Sequence, residues 1–232
     1  MSSIEIKRGR TGRTVPVRPD TREMVVIHDV FRRVLGDLPG LIRGVADRDA
    51  VRAGVLADAF VEFATGLHHH HVNEDEILWP RLLERVEVER AFVLRAEEQH
   101  ERVHELLERG HVRAASFRTD PSAEKREAFA ASVAELDATL CEHMADEEQY
   151  ILPLVERHVT VAEWEQLGER GRASIPKDRL LIQLGWILDG LTPEQRREFL
   201  ARMPLPARLA WRLLGRRRYE QERRRIYGGE VG

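Results

Sequence analysis

A chain of 232 residues, 42% hydrophobic and 33% charged, is long enough to bury a sizeable core and too apolar for a disordered protein. Its net charge of −3 gives no global argument for nucleic acid, and no run approaches the ~18 continuous apolar residues of a membrane-spanning helix. Cys141 is the only cysteine, which excludes an intramolecular disulfide and a cysteine-built zinc site.

Residues 1–19 are basic and broken by Gly12, Pro16 and Pro19, the composition of a flexible arm without the apolar run of a signal peptide. With the single cysteine, this points to the cytoplasm. The first helix begins near Asp20 or Thr21 and carries the seam Met24, His28, Phe31, Leu35, continued by Leu38 and Ile42 past a kink at Pro39 and Gly40. A second helix runs from about Asp49 to Arg85 with the seam Leu56, Phe60, Phe63, Leu67, His70, Glu74, Ile77. The register through Ala64, His68, His71, Asp75 and Leu78 carries less apolar bulk. Periodicity therefore selects His70 and Glu74 as the inward pair and leaves His71 and Asp75 as the alternative. A third helix covers roughly Val88 to Ala115, with Val93, Ala96, His100, Val103 and Leu107 inward and His104 on the flank. After a loop near Ser116–Asp120, capped by Asp120 with Pro121 in its first turn, a fourth helix carries Phe129, Val133, Leu136, Leu140, His143, Glu147, Tyr150 and Leu154. Four long amphipathic helices with short connections predict an all-α, up-down four-helix bundle over residues 20–160. Thr160 and Glu163 open a short helix that ends near Gly168 or Gly171. The arginine-rich residues 161–232 are expected as a small helical appendage.

The second and fourth helices repeat one pattern. H-H-V-N-E-D-E-I-L-W-P at 70–80 returns as H-M-A-D-E-E-Q-Y-I-L-P at 143–153, pairing His70 with His143 and Glu74 with Glu147. Residues four apart on a helix lie on one face, so each copy presents an imidazole and a carboxylate to one point. His28 maps onto His100 in the same way, so the chain reads as two helical hairpins related by a pseudo-twofold, each donating to a shared centre. Imidazoles with bridging carboxylates suit first-row transition metals such as iron or manganese rather than magnesium or calcium. Burying these groups without a partner is costly, which weighs against a purely structural role.

The order His28, His70-x-x-x-Glu74, His100-x-x-x-His104, His143-x-x-x-Glu147 resembles the hemerythrin family, including bacterial proteins with the HHE cation-binding domain, over residues 20–160. The resemblance implies two non-haem irons with an oxo or hydroxo bridge, manganese and zinc ranking behind iron. It implies that His100, His104 and His143 hold one iron, that His28 and His70 hold the other, and that Glu74 and Glu147 bridge. One ligand position then stays open for dioxygen, peroxide, nitric oxide or an azide-type anion. The sequence departs from the oxygen-carrying members, which place an aspartate five residues after the last histidine. That position here is Glu148, while Glu147 stands at four. Four residues turn a helix by about 40° net and five by about 140°, which favours Glu147. Small-ligand binding for sensing, storage or protection is the leading reading. Peroxide (catalase-like) or nitric oxide turnover is the enzymatic alternative, and an iron-responsive interaction module acting through the tail is a third. The tail's arginines, interleaved with Trp211, Tyr219 and Tyr227, would also suit nucleic acid or an anionic membrane, although a solvated face is the plainer reading.

Overall fold

The computed structural model describes residues 18–229. The arm expected over residues 1–19 lies almost wholly outside them. All regular structure among the described residues is helical.

Helix α1 (Arg22–Arg43) packs against α2 (Ala50–Asn73) and α5 (Ala123–Asp146), and both of those pack against α4 (Arg90–Thr119). This closed ring of neighbours is the expected four-helix bundle. Helix α1 continues through Pro39 and Gly40 to Arg43, burying Leu38 and Ile42 as expected, and its first turn is met by Asp20, whose carboxylate accepts from the Arg22 amide. Asp49 caps α2 by accepting from the Arg52 amide. Helix α4 extends to Thr119, beyond the expected Ala115. Asp120, expected to cap the next helix, instead terminates this one, and Ser122 occupies the N-cap of α5.

The long second and fourth helices are each interrupted by one wide turn that periodicity did not foresee. Residues Glu74–Leu78 and Glu147–Ile151 form single π turns, leading into α3 (Trp79–Arg85) and α6 (Leu152–His158). The Trp79 amide donates to Glu74 O, and the Leu152 amide to Glu147 O. The cause is the proline that follows each turn, Pro80 and Pro153. Proline brings no N–H to the carbonyl four residues back, and its ring crowds that carbonyl, so the backbone widens by one residue. The inward stripe shifts accordingly. Leu78 and Ile151 are buried, whereas Ile77 and Tyr150, expected inward, are only half-buried. Tyr150 instead stacks on Phe92 with ring centroids 4.6 Å apart.

The capping box of Thr160 and Glu163 forms and opens α7 (Val161–Ser174), which continues past Gly168 and Gly171. Four further helices follow: α8 (Leu180–Asp189), α9 (Pro193–Arg202), α10 (Leu205–Ala210) and, after a third π turn, α11 (Arg216–Tyr227). Helices α9 and α10 bury no residue, but α8 and α11 insert Ile182, Trp186, Tyr219 and Ile226 into the bundle's main apolar cluster. Trp186 meets Phe63 edge-on at 5.5 Å and Tyr219 at 5.1 Å. This contact depends on Gly185, because a Cβ there would stand 2.2 Å from the Tyr219 ring. Gly185→Ala is therefore expected to push α11 off α8 and cost about 1–3 kcal/mol, read as a lower thermal midpoint and a changed Trp186 environment in fluorescence.

Candidate metal centre

The apolar interior is divided in two. One cluster includes Phe31, Leu67, Val103 and Leu140, the other Met24, Leu78, Ala96 and Ile151. On each helix of the bundle the polar residues fall between these two sets: His28 on α1, His70, His71 and Glu74 on α2 and its π turn, His100 on α4, His143 and Glu147 on α5 and its π turn. Packed apolar layers shield them from bulk water above and below. His28, Glu74, His143 and Glu147 are at most 1% exposed.

These side chains form two groups whose ligand atoms lie within 4.8 Å of one another: His28, His70 and Glu147 in one, His71, His100 and His143 in the other. In the first, His28 Nε2 is 3.3 Å from His70 Nε2; in the second, His100 Nε2 is 3.2 Å from His143 Nε2. The two glutamates span the groups. Glu74 Oε1 is 3.3 Å from His70 Nε2 and its Oε2 is 3.6 Å from His100 Nε2. Glu147 Oε2 is 3.3 Å from His28 Nε2 and 3.7 Å from His143 Nε2. Both carboxylates thus lie between the two groups, and each starts a π turn. The turn that the proline imposes also carries the residue after each glutamate to an outer position.

Those next residues, Asp75 and Glu148, orient the histidines. His28 Nδ1–H donates to Glu148 Oε1 at 2.8 Å, and Arg32 Nη2 pairs with the same oxygen at 2.8 Å. His100 Nδ1–H donates to Asp75 Oδ1 at 2.6 Å. His143 Nδ1 faces Gln99 Oε1 at 3.3 Å, and Gln99 donates in turn to Asp146. An acceptor on Nδ1 fixes the tautomer that turns the Nε2 lone pair inward. Asp75→Asn is expected to weaken metal binding by about 10–100-fold with the fold unchanged, measured by chelator competition.

Chemically the arrangement fits a cation. Both oxygens of Glu74, both of Glu147 and His71 Nε2 are buried with no hydrogen-bond partner among the described residues. Two nitrogens bound about 2.1 Å from one ion at 90–109° stand roughly 3.0–3.4 Å apart, which brackets the facing Nε2 pairs. The protonation equilibria show the same strain. Burial pushes His70 down to about 3 and His143 to about 4, reinforced at His70 by His28 and at His143 by His100, with Glu147 opposing at both. It drives His71 well below the ordinary imidazole value and, with Glu147 and Asp75 adding repulsion, Glu74 well above the ordinary carboxylate value. At His28, burial is overcome by Glu147 and Glu148, raising it to about 9; at Glu147, burial is overcome chiefly by His28, lowering it to about 2. The metal-free cluster therefore keeps protons on His28 and Glu74 that a cation must displace. Loading is expected to release protons at pH 7, and apparent affinity should rise with pH by up to about tenfold per unit for each proton displaced, levelling above pH 9 as His28 deprotonates. Titration calorimetry in buffers of different ionisation enthalpy measures this.

The structure brings six of the seven residues expected from the sequence, His28, His70, Glu74, His100, His143 and Glu147, to one place. It does not bring His104 there. That side chain is exposed on α4, its ring 5.5 Å from His68. The inward face of α4 continues through Val103 and Leu107, so the residue one turn after His100 falls on the flank. His71 stands in the three-histidine group instead, its ring stacked on His100 at 4.0 Å. In the sequence it is the alternative to His70, because its register carries less apolar bulk. Adjacent positions on a helix are about 100° apart, enough for His70 to serve one group and His71 the other. Asp75 and Gln99, which orient His100 and His143, carried no signal beyond their spacing.

The sequence model of the hemerythrin HHE cation binding domain matches residues 20–155. No curated protein and no solved structure matches the chain.

Proposed function

Because the chain belongs to the hemerythrin HHE cation-binding family, we propose that its histidine–glutamate cluster holds two iron ions and binds dioxygen or a related small ligand reversibly, for sensing, storage or protection. The observation that carries this reading is the pair of buried, unpartnered carboxylates, each spanning two histidine groups. His71, His100 and His143 would serve one ion, His28 and His70 the other, with Glu74 and Glu147 shared. The two-histidine side has one protein donor fewer, so a bound ion there would keep the open position for a small ligand. A bound ferrous pair supplies the electrons that a dioxygen-type ligand accepts on binding. The protein's part is to hold the donors in register, exclude water between two apolar layers, and keep the imidazole lone pairs inward through Asp75, Glu148 and Gln99. Imidazole and carboxylate donors also accept manganese and zinc, which we rank behind iron on the family resemblance.

Metal analysis and the visible spectrum of aerobically purified protein, with and without azide, test the reading. Two irons per chain and near-ultraviolet bands that shift with azide support it; one metal, or no azide response, would overturn it. Peroxide or nitric oxide consumption at the same centre is the enzymatic rival. Asp75 and Glu148, the carboxylates nearest the histidines, are already hydrogen-bond acceptors of His100 and His28, so neither is a dedicated proton donor. Iron-loaded protein is expected to consume peroxide no faster than the same amount of free iron.

A further inference from the structure

His104 and the unusual histidine run at 68–71 are only partly used by the cluster, and their position suggests a second role. A cleft open to solvent lies between α2 and α4. Its floor is formed by His71 and His100, which belong to the three-histidine group. Asp75, Glu97 and Glu101 line it, and His68 and His104 stand with them on the exposed side. Among the described residues, no lysine or arginine lines it. Above and below the cluster, by contrast, the bundle is closed by its two apolar layers.

We propose that this cleft is the route by which a divalent cation reaches the centre, with His68, His104, Glu97 and Glu101 as a transient capture site; the proposal rests on the metal-centre reading above. A hydrated dication crossing either apolar layer would lose its water with nothing to replace it, which is prohibitively costly. In the cleft, carboxylates attract it and focus its arrival, and exposed imidazoles replace its waters a few at a time. The buried His71 Nε2, which has no hydrogen-bond partner, is the next donor inward, stacked directly on His100. Asp75 links the two environments, since it lines the cleft and accepts from His100 Nδ1. No residue of the capture site need remain bound to the ion once it is seated.

Rapid mixing of metal-free, full-length protein with cobalt(II) alone, followed through the cobalt absorption bands, tests this. The double variants Glu97→Gln/Glu101→Gln and His68→Ala/His104→Ala are expected to take up cobalt about tenfold more slowly than the native chain. Both should reach the same final spectrum and the same two ions per chain, and the native uptake rate should fall as salt is added. Native-like uptake rates in both variants would overturn the route. A lower final metal count in the His68/His104 variant would overturn it in another way, by making one of these histidines a permanent ligand. If the native chain itself takes up no cobalt, the metal-centre reading fails and this proposal falls with it, a result distinct from either of the others.

Discussion

Glu74→Gln is expected to cost the protein at least one of its metal ions while stabilising the metal-free chain. The two effects have one origin. Glu74 is fully buried, both its oxygens lack partners, and burial, then Glu147, then Asp75, hold its carboxyl well above the ordinary value. A group whose folded pKa is raised contributes stability at low pH and loses it as pH climbs, so at neutral pH the metal-free fold bears the penalty of this side chain. A neutral amide of the same shape removes the cost of holding that proton at neutral pH. A rise of about 2–4 °C in the thermal midpoint of the metal-free form is the expected size, the shift that ~1 kcal/mol makes in a chain of this length. The same amide is a poor bridge between two cations, so the stabilisation that metal confers on the native chain should shrink. A saturating ion at a hundred times its Kd adds about 2.7 kcal/mol to the native fold. Thermal scans of native and variant protein, with and without metal, separate the two terms. A variant that is less stable without metal and equally stabilised by it would show that Glu74 is a packing residue.

His71→Ala and His104→Ala are expected to behave oppositely. His71 lies in the buried three-histidine group, stacked on His100 at 4.0 Å and edge-on to His143 at 5.0 Å, whereas His104 is exposed beside His68. Removing His71 should drop metal content toward one ion per chain and abolish the azide-sensitive spectrum. It also opens a buried cavity costing about 2 kcal/mol or more in the metal-free form. Removing His104 should leave the final metal count and spectrum intact. The contrast is read by metal analysis after equilibrium dialysis. Loss of a metal in the His104 variant alone would restore the ligand set implied by family resemblance and displace the one drawn from the geometry.

Much of this protein is written in local periodicity. The 4-3 spacing of apolar residues is enough to place four helices, because an amphipathic stripe has only one way to be buried in a bundle. The repeat of His-x-x-x-Glu before Pro80 and Pro153 is enough to identify two matching ligand pairs, because residues four apart must share a helix face. The Thr160 cap is readable for the same reason, since it is a contact with Glu163, three residues on. What only the tertiary structure decided lies where a single stripe is too narrow a description. The centre is two groups wide, so His70 and His71, adjacent in sequence and about 100° apart on α2, can both face it, while His104, on the flank of the stripe that carries Val103 and Leu107, stays outside. The π turns after Glu74 and Glu147 add a residue to each helix, moving the inward position from Ile77 to Leu78 and from Tyr150 to Ile151. The docking of α8 and α11 on the bundle turns on how closely Gly185 lets Tyr219 approach. Spacing along one helix is a local quantity and can be read from the chain; which of two neighbouring side chains meets a partner three helices away depends on how those helices are rotated about their axes, and only the packed core sets that.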